Sequence, residues 1–171
     1  TATRSRSRQT VGMSSQHLFD QAVALKMQAD GRFLGHTSPA YANMVGPFGG
    51  ITAATMLRAI LLHPDRLGDP LSLTVNYAGA LSTGPFTVQA TPVRTNRSTQ
   101  HWTVSIVQTD AQGEQVVTTT ATAVTAVRRE TWADDEISMP TVPAPADVPA
   151  QTGHAPMAFI KQYDMRPIVG G

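Results

Sequence analysis

The sequence predicts an α+β domain in which an antiparallel sheet of about five strands wraps around one central helix. Three observations predict it. The segment VGPFGGITAATMLRAILLHP, residues 45–64, opens on Gly46, Pro47, Gly49 and Gly50, runs mostly apolar to Leu62 and stops at His63-Pro64. Four later segments between Leu71 and Val127 favour pleated strands, three by clear alternation of apolar and polar residues and the last by its Val and Thr content. Short connections join those segments, which favours antiparallel neighbours.

Taken in order, Ser14 to Ala29 reads as a first helix. Ser14 or Ser15 can cap it, Leu18, Phe19, Ala22, Val23, Leu25 and Met27 form its apolar face, and Asp30-Gly31 ends it. Gly31 to Ser38 is a short strand anchored by Phe33, broken by Pro39. The central helix spans about Gly50 to Leu62. Its polar members Thr52, Thr55 and Arg58 sit three apart on one narrow stripe, and Ile51, Ala53, Ala54, Met56, Leu57, Ala59, Ile60, Leu61 and Leu62 occupy the rest. A helix that apolar is enclosed by protein. About thirteen residues are too few to cross a bilayer, which needs ~20.

Leu71 to Tyr77 alternates with Leu71, Leu73, Val75 and Tyr77 on one face and Ser72, Thr74 and Asn76 on the other. Gly79 and Gly84-Pro85 bound a turn. Phe86 to Thr91 points Phe86, Val88 and Ala90 inward, and Pro92 marks a bulge or an edge. Ser98 to Gln108 repeats the pattern with Trp102, Val104 and Ile106. Asp110 to Gly113 is a hairpin turn, and Gln115 to Val127 is a Val- and Thr-rich strand. A sheet with one apolar face must cover it. Only the central helix is apolar enough to do so. A sheet wrapped around a helix in this way is the hot-dog fold.

The domain so defined spans residues 13–130. Residues 1–12, TATRSRSRQTVG, form an expected disordered basic tail ahead of Met13. Arg4, Arg6 and Arg8 without an aromatic partner support a nucleic-acid or membrane arm poorly. Residues 131–156 hold five of the twelve prolines and read as an extended linker. Residues 157–171 recover an apolar, strand-like pattern, and are expected to begin a second, truncated module. The 171 residues are 41 % hydrophobic and 15 % charged, with net charge +1. That balance suits a globular chain with no polyanionic partner. Absence of cysteine excludes thiolate metal sites and leaves a reducing, cytoplasmic setting as the expectation.

Gly49-Gly50 at a helix start can present free N–H groups to a carbonyl or an anion, or can simply permit a tight turn and close packing. Asn76 can orient water or a substrate, or can sit on a solvated strand face. Arg94, Asn96, Arg97 and Ser98 place two guanidinium groups on one connection. Guanidinium suits phosphate, and an ordinary charged turn has the same composition. His36, His63 and His101 lack metal-ligand spacing, so no metal is expected. No G-x-S-x-G elbow supports a serine hydrolase.

The runs GHTSPAYANMVGPFGGITAATML, LSLTVNYAGAL and GPFTVQATPVRTNRSTQHWTVSIVQ resemble the first half of double hot-dog acyl-CoA thioesterases. Phe48-Gly49-Gly50 leading into a buried helix is the strongest match, and Arg94-x-x-Arg97-Ser98 is the next. The resemblance covers roughly Gly31 to Val127, and Tyr163 to Arg166 looks like the opening strand of the second hot dog. It implies hydrolysis of acyl-CoA to fatty acid and coenzyme A, with no cofactor. It also implies substrate contacts at Phe48, Gly49, Gly50, Asn76, Arg94, Asn96, Arg97 and Ser98. In that family the water-activating acid or amide and its hydroxyl partner come mostly from the second hot dog. No acidic residue stands at the helix start here, so the catalytic residues are expected outside this chain. An acyl-binding or assembly half without turnover is the rival reading. Either way a second hot dog, in cis or as a homo-oligomer such as a dimer, is the expected partner, and neither nucleic acid nor membrane is.

Overall fold

Six strands form one antiparallel sheet in the computed structural model, which describes residues 16–151 and 156–168. They are β1 (Lys26–Met27), β2 (Phe33–His36), β3 (Asp69–Tyr77), β4 (Pro85–Thr95), β5 (Thr99–Thr109) and β6 (Gln115–Ala126). Two α-helices accompany them, α1 (Leu18–Ala22) and α2 (Gly49–Leu62). The strand order is β1-β2-β4-β5-β6-β3. One face carries Phe33, Phe86, Val88, Trp102, Val104 and Ile106 into a core completed by Met56, Ala59 and Ile60 of α2. Each large side chain so buried contributes about 1.5–3 kcal/mol. The sheet therefore wraps α2, as the hot-dog arrangement requires.

The first helix is shorter than its apolar pattern suggests. It ends at Ala22, with the His17 Nδ1 accepting the Phe19 N–H at 3.1 Å in place of a serine cap. Ser14 and Ser15 lie outside the described residues, as does the basic segment 1–12. The chain beyond Val23 turns to pair Lys26 with Leu34 and Met27 with Phe33. Asp30 drives the turn by accepting the Arg32 backbone N–H and pairing with its guanidinium at 2.6 Å. That exposed ion pair holds the Asp30 carboxyl below its usual pKa. Ladder pairing here outweighs a weak helix propensity.

Two of the three polar residues on the α2 stripe are buried. Thr52 and Thr55 are buried against the sheet, while Ala53, Ala54, Leu57 and Leu61 are half-buried on the outer side. Burial is tolerated because the hydroxyls find backbone partners: Thr55 Oγ1 donates to Ile51 O at 2.8 Å. Arg58 alone of the stripe is exposed.

Consecutive strands pair at β4–β5 and β5–β6, but not at β3–β4. β3 pairs instead with β6, Asn76 standing opposite Thr120 and Tyr77 opposite Thr119. The connection from Ala78 to Gly84 is a crossing, not a hairpin turn. Ala78 and Gly79 N–H groups both bond Thr118 O, and Leu81 is buried in the core beneath it. Burying Leu81 outweighs the short-loop preference. Pro92 marks a bulge, where the β4–β5 register shifts. Asp110 closes the β5–β6 turn by accepting the N–H groups of Gln112 and Glu114.

Residues 131–144 are exposed and irregular. The chain then packs again. Arg166 donates to Pro145 O at 2.6 Å and Val148 O at 2.7 Å, and Gln151 N donates to Met165 O. Ala158–Gln162 forms a single 3-10 turn, and Tyr163 to Arg166 is not a strand. A strand needs a continuous ladder, and among the described residues this segment has only the single Gln151–Met165 backbone bond.

Candidate active site at the head of the central helix

The first turn of α2 leaves its amides in two pairs. Ile51 N and Thr52 N both donate to Phe48 O, at 3.1 and 3.3 Å. Gly49 N and Gly50 N have no acceptor among the described residues. Free first-turn amides are normal at a helix start, and the helix dipole adds to their pull on negative charge. No side chain caps them, because the N-cap residue is Phe48.

Gly49 borders a cleft of about 250 Å³ lined also by Thr52, Val45, Pro47, Tyr77 and Leu81, with Gly79, Ala80 and Thr119 completing it, and Gly50 follows it in the first turn. Tyr77 reaches across from the end of β3, and its hydroxyl donates to Gly49 O at 2.7 Å. A Cβ at Gly49 would stand only 3.1 Å from that hydroxyl, and one at Gly50 would collide with the Phe48 ring. Close packing thus calls for glycine at position 50, while at position 49 a side chain fits if Tyr77 gives by a few tenths of an ångström. The two readings of the glycines are compatible.

No carboxylate or imidazole lines the cleft. It can hold a carbonyl oxygen or an anion, and it offers no general base. The Tyr41 carbonyl fixes Phe48 N at 2.8 Å, and burial pushes the Tyr41 phenol above its usual pKa. Among the described residues no group of three or more His, Cys, Asp or Glu could hold a metal ion.

The structure gathers only part of the expected set. Phe48, Gly49 and Gly50 stand together. Asn76 lies on the outer face of the sheet, away from α2, in a shallow groove of about 390 Å³ with Gln89, Ser105 and Thr120. Arg94, Asn96, Arg97 and Ser98 form the exposed β4–β5 hairpin at the opposite end of the sheet. There Val127 N bonds Ser98 O, and the buried Gln100 side chain holds Leu67 N and Asp65 O in the loop that follows α2. The hairpin therefore sits by the C-terminal end of α2. At a rise of 1.5 Å per residue, the fourteen residues of α2 put roughly 20 Å between it and the glycines. Arg94 Nε donates to Asn96 Oδ1 at 3.1 Å, and neither Arg94 nor Arg97 forms an ion pair among the described residues.

The sequence reading singles out Asn76, and the residue at the cleft is its neighbour Tyr77. Strand parity could have found it, since residues on the apolar face are those turned toward the helix. Nothing in the pattern pointed to Phe159, whose ring stacks on Phe48 at 4.2 Å.

Comparison with known proteins sets this geometry in a family. A family model described as the acyl-CoA thioesterase N-terminal domain matches residues 38–126. The chain is 52 % identical to a conserved protein of unknown function with a hot-dog fold from Alicyclobacillus acidocaldarius, covering 91 % of this chain and 56 % of that one, with a TM-score of 0.83. It shares its fold with an acyl-CoA thioesterase II from Mycobacterium marinum, at 20 % identity and a TM-score of 0.61, covering 77 % of this chain and 47 % of that one. A TesB protein from Mycobacterium avium subsp. paratuberculosis gives 20 % and 0.62, covering 75 % and 48 %. No curated protein matches. The chain spans about half the length of these structures. The matched residues take in the helix start, the cleft and four of the six strands, so the chain belongs to the acyl-CoA thioesterase N-terminal domain family.

Proposed function

We propose that this chain is the thioester-holding half of an enzyme that hydrolyses acyl-CoA to a fatty acid and coenzyme A. The observation that supports the reading most is the pair of unpartnered amides at Gly49 and Gly50, the first of them on a cleft beside Tyr77. Water adds to the thioester carbonyl carbon, and the carbonyl oxygen takes up the negative charge. Amides aimed at that oxygen stabilise it where it forms. The C–S bond then breaks, and the thiolate leaves and takes a proton. The base that removes the proton from water has no candidate in the cleft. We assign it to a second hot dog, in cis or on another copy.

On this reading residues 13–130 are the first hot dog, 131–156 the connection and 157 onward the approach to the second. Arg94 and Arg97 would serve coenzyme A phosphates, roughly 20 Å from the glycines. Asn76, on the outer sheet face, takes no part at this cleft.

The lack of an ionisable group in the cleft favours a second reading, an acyl-binding half with no turnover of its own. Thiol release from a series of acyl-CoA lengths separates the two. Turnover that depends on the paired module supports hydrolysis, and saturable binding without turnover in the paired assembly supports the second reading. Tyr77→Phe removes the hydrogen bond that steadies Gly49, worth about 1 kcal/mol, so kcat should fall roughly fivefold. An unchanged kcat would remove Tyr77 from the account.

No helix among the described residues is long and apolar enough to cross a membrane.

A further inference from the structure

The chain beyond the Pro-rich segment returns to one place, the head of α2. Phe159 lies parallel to Phe48, with centroids 4.2 Å apart and planes 1° from coplanar. Tyr163 meets the Phe48 ring edge-on at 6.2 Å. Phe159 N donates to Ala42 O at 3.3 Å, pinning this segment to the loop that leads into the helix. Arg166 anchors the far side through Pro145 O and Val148 O. The Phe48 ring fills the space that a Cβ on Gly50 would need. It is thus held between Phe159 on one side and the Gly50 backbone on another.

We propose that Phe159 is a positioning residue for the amide pair at Gly49 and Gly50, acting through the Phe48 ring. The proposal rests on the thioester-holding reading given above. Phe48 is the N-cap residue and makes no side-chain cap bond, so packing sets its rotamer. A stacked pair is worth about 0.5–1.5 kcal/mol beyond its buried area, enough to favour one rotamer. With Phe159 in place the ring stays against Gly50, and the first turn keeps the Gly49 amide at the cleft and the Gly50 amide in fixed register behind it. Without it the ring is free to swing, and the two N–H groups lose their fixed direction. Small misplacements of a reacting group cost rate far more than they cost binding.

The full chain labelled with ¹⁵N-glycine reports the geometry directly, and acyl-CoA hydrolysis by the protein with its paired module reports the consequence. Phe159→Ala should move the Gly50 amide resonance and lower kcat about tenfold or more with little change in KM. Phe159→Tyr keeps the stack and should restore both. Phe159→Leu keeps apolar volume without a stacking ring and should behave as the alanine variant, which covers the case in which alanine unfolds the segment. A Gly50 resonance unmoved in both the alanine and leucine variants overturns the proposal. So does a moved resonance with kcat intact. If the parent protein hydrolyses no acyl-CoA, the thioesterase reading fails, and the Gly50 resonance still decides whether Phe159 sets the amide geometry.

Discussion

Gly49→Pro is expected to lower acyl-CoA turnover by about 10²–10³ in kcat, the usual consequence of deleting one amide from an oxyanion site. The substitution is selective because Gly49 is the first helical residue of α2. Proline is well tolerated there, since its missing N–H makes no helical bond. Phe48 before it already has φ −57° and ψ 135°, the extended conformation that a following proline requires. The new ring must fit beside Tyr77, whose hydroxyl stands 3.1 Å from the Cβ position. Folding should therefore change little while the chemistry is lost. Equal turnover by this variant would remove the Gly49 amide from the mechanism, and a lowered melting temperature would identify Tyr77 crowding as the cause of any loss.

Trp102→Ala should have the largest effect on folding, about 3–5 kcal/mol. A typical domain has only about 5–15 kcal/mol in total. Trp102 is 1 % exposed, donates its indole N–H to Thr125 Oγ1 at 3.1 Å and receives the His63 ring edge-to-face at 5.1 Å. It thus ties the C-terminal end of α2 to the middle of the sheet. Truncation leaves a large void and removes the Thr125 partner. Urea unfolding measures the loss, and a change below about 1 kcal/mol would contradict the packing described here. Turnover per folded molecule should stay near the parent value, because the site lies at the other end of α2.

β4 and β5 were legible because each has one buried face, whereas Leu71 and Tyr77 of β3 stay exposed on the face that alternation makes apolar. Phe86, Val88 and Ala90 on β4 and Trp102, Val104 and Ile106 on β5 keep a strict period of two, and that period survives in the structure. The orientation of α2 was not legible in the same way. The stripe of Thr52, Thr55 and Arg58 splits, because each threonine can satisfy its hydroxyl on the helix backbone and be buried while Arg58 stays exposed. The partner of β3 was hidden because the Ala78–Gly84 connection is short enough to suggest a hairpin. Only the burial of Leu81 shows that it crosses the sheet end.

The candidate site was half legible. Phe48-Gly49-Gly50 announces a helix start with free amides, and the structure leaves those amides free. Strand parity puts Asn76 on the outer face of the sheet and Tyr77 on the face toward the cleft. Arg94 and Arg97 were grouped with the glycines by motif, although a fourteen-residue helix separates them. Phe159 could not be found at all from pattern, since it reaches Phe48 only after a long irregular segment.

The most direct test of the account is a crystal structure of the protein carrying this chain with an acyl-CoA analogue that keeps the carbonyl and replaces the scissile sulfur by a methylene group. The account predicts the carbonyl oxygen about 2.7–3.1 Å from the backbone nitrogen of Gly49 or Gly50, beside Tyr77. An ordered carbonyl bound elsewhere, such as the outer sheet groove around Asn76, with both amides still unpartnered, would contradict it.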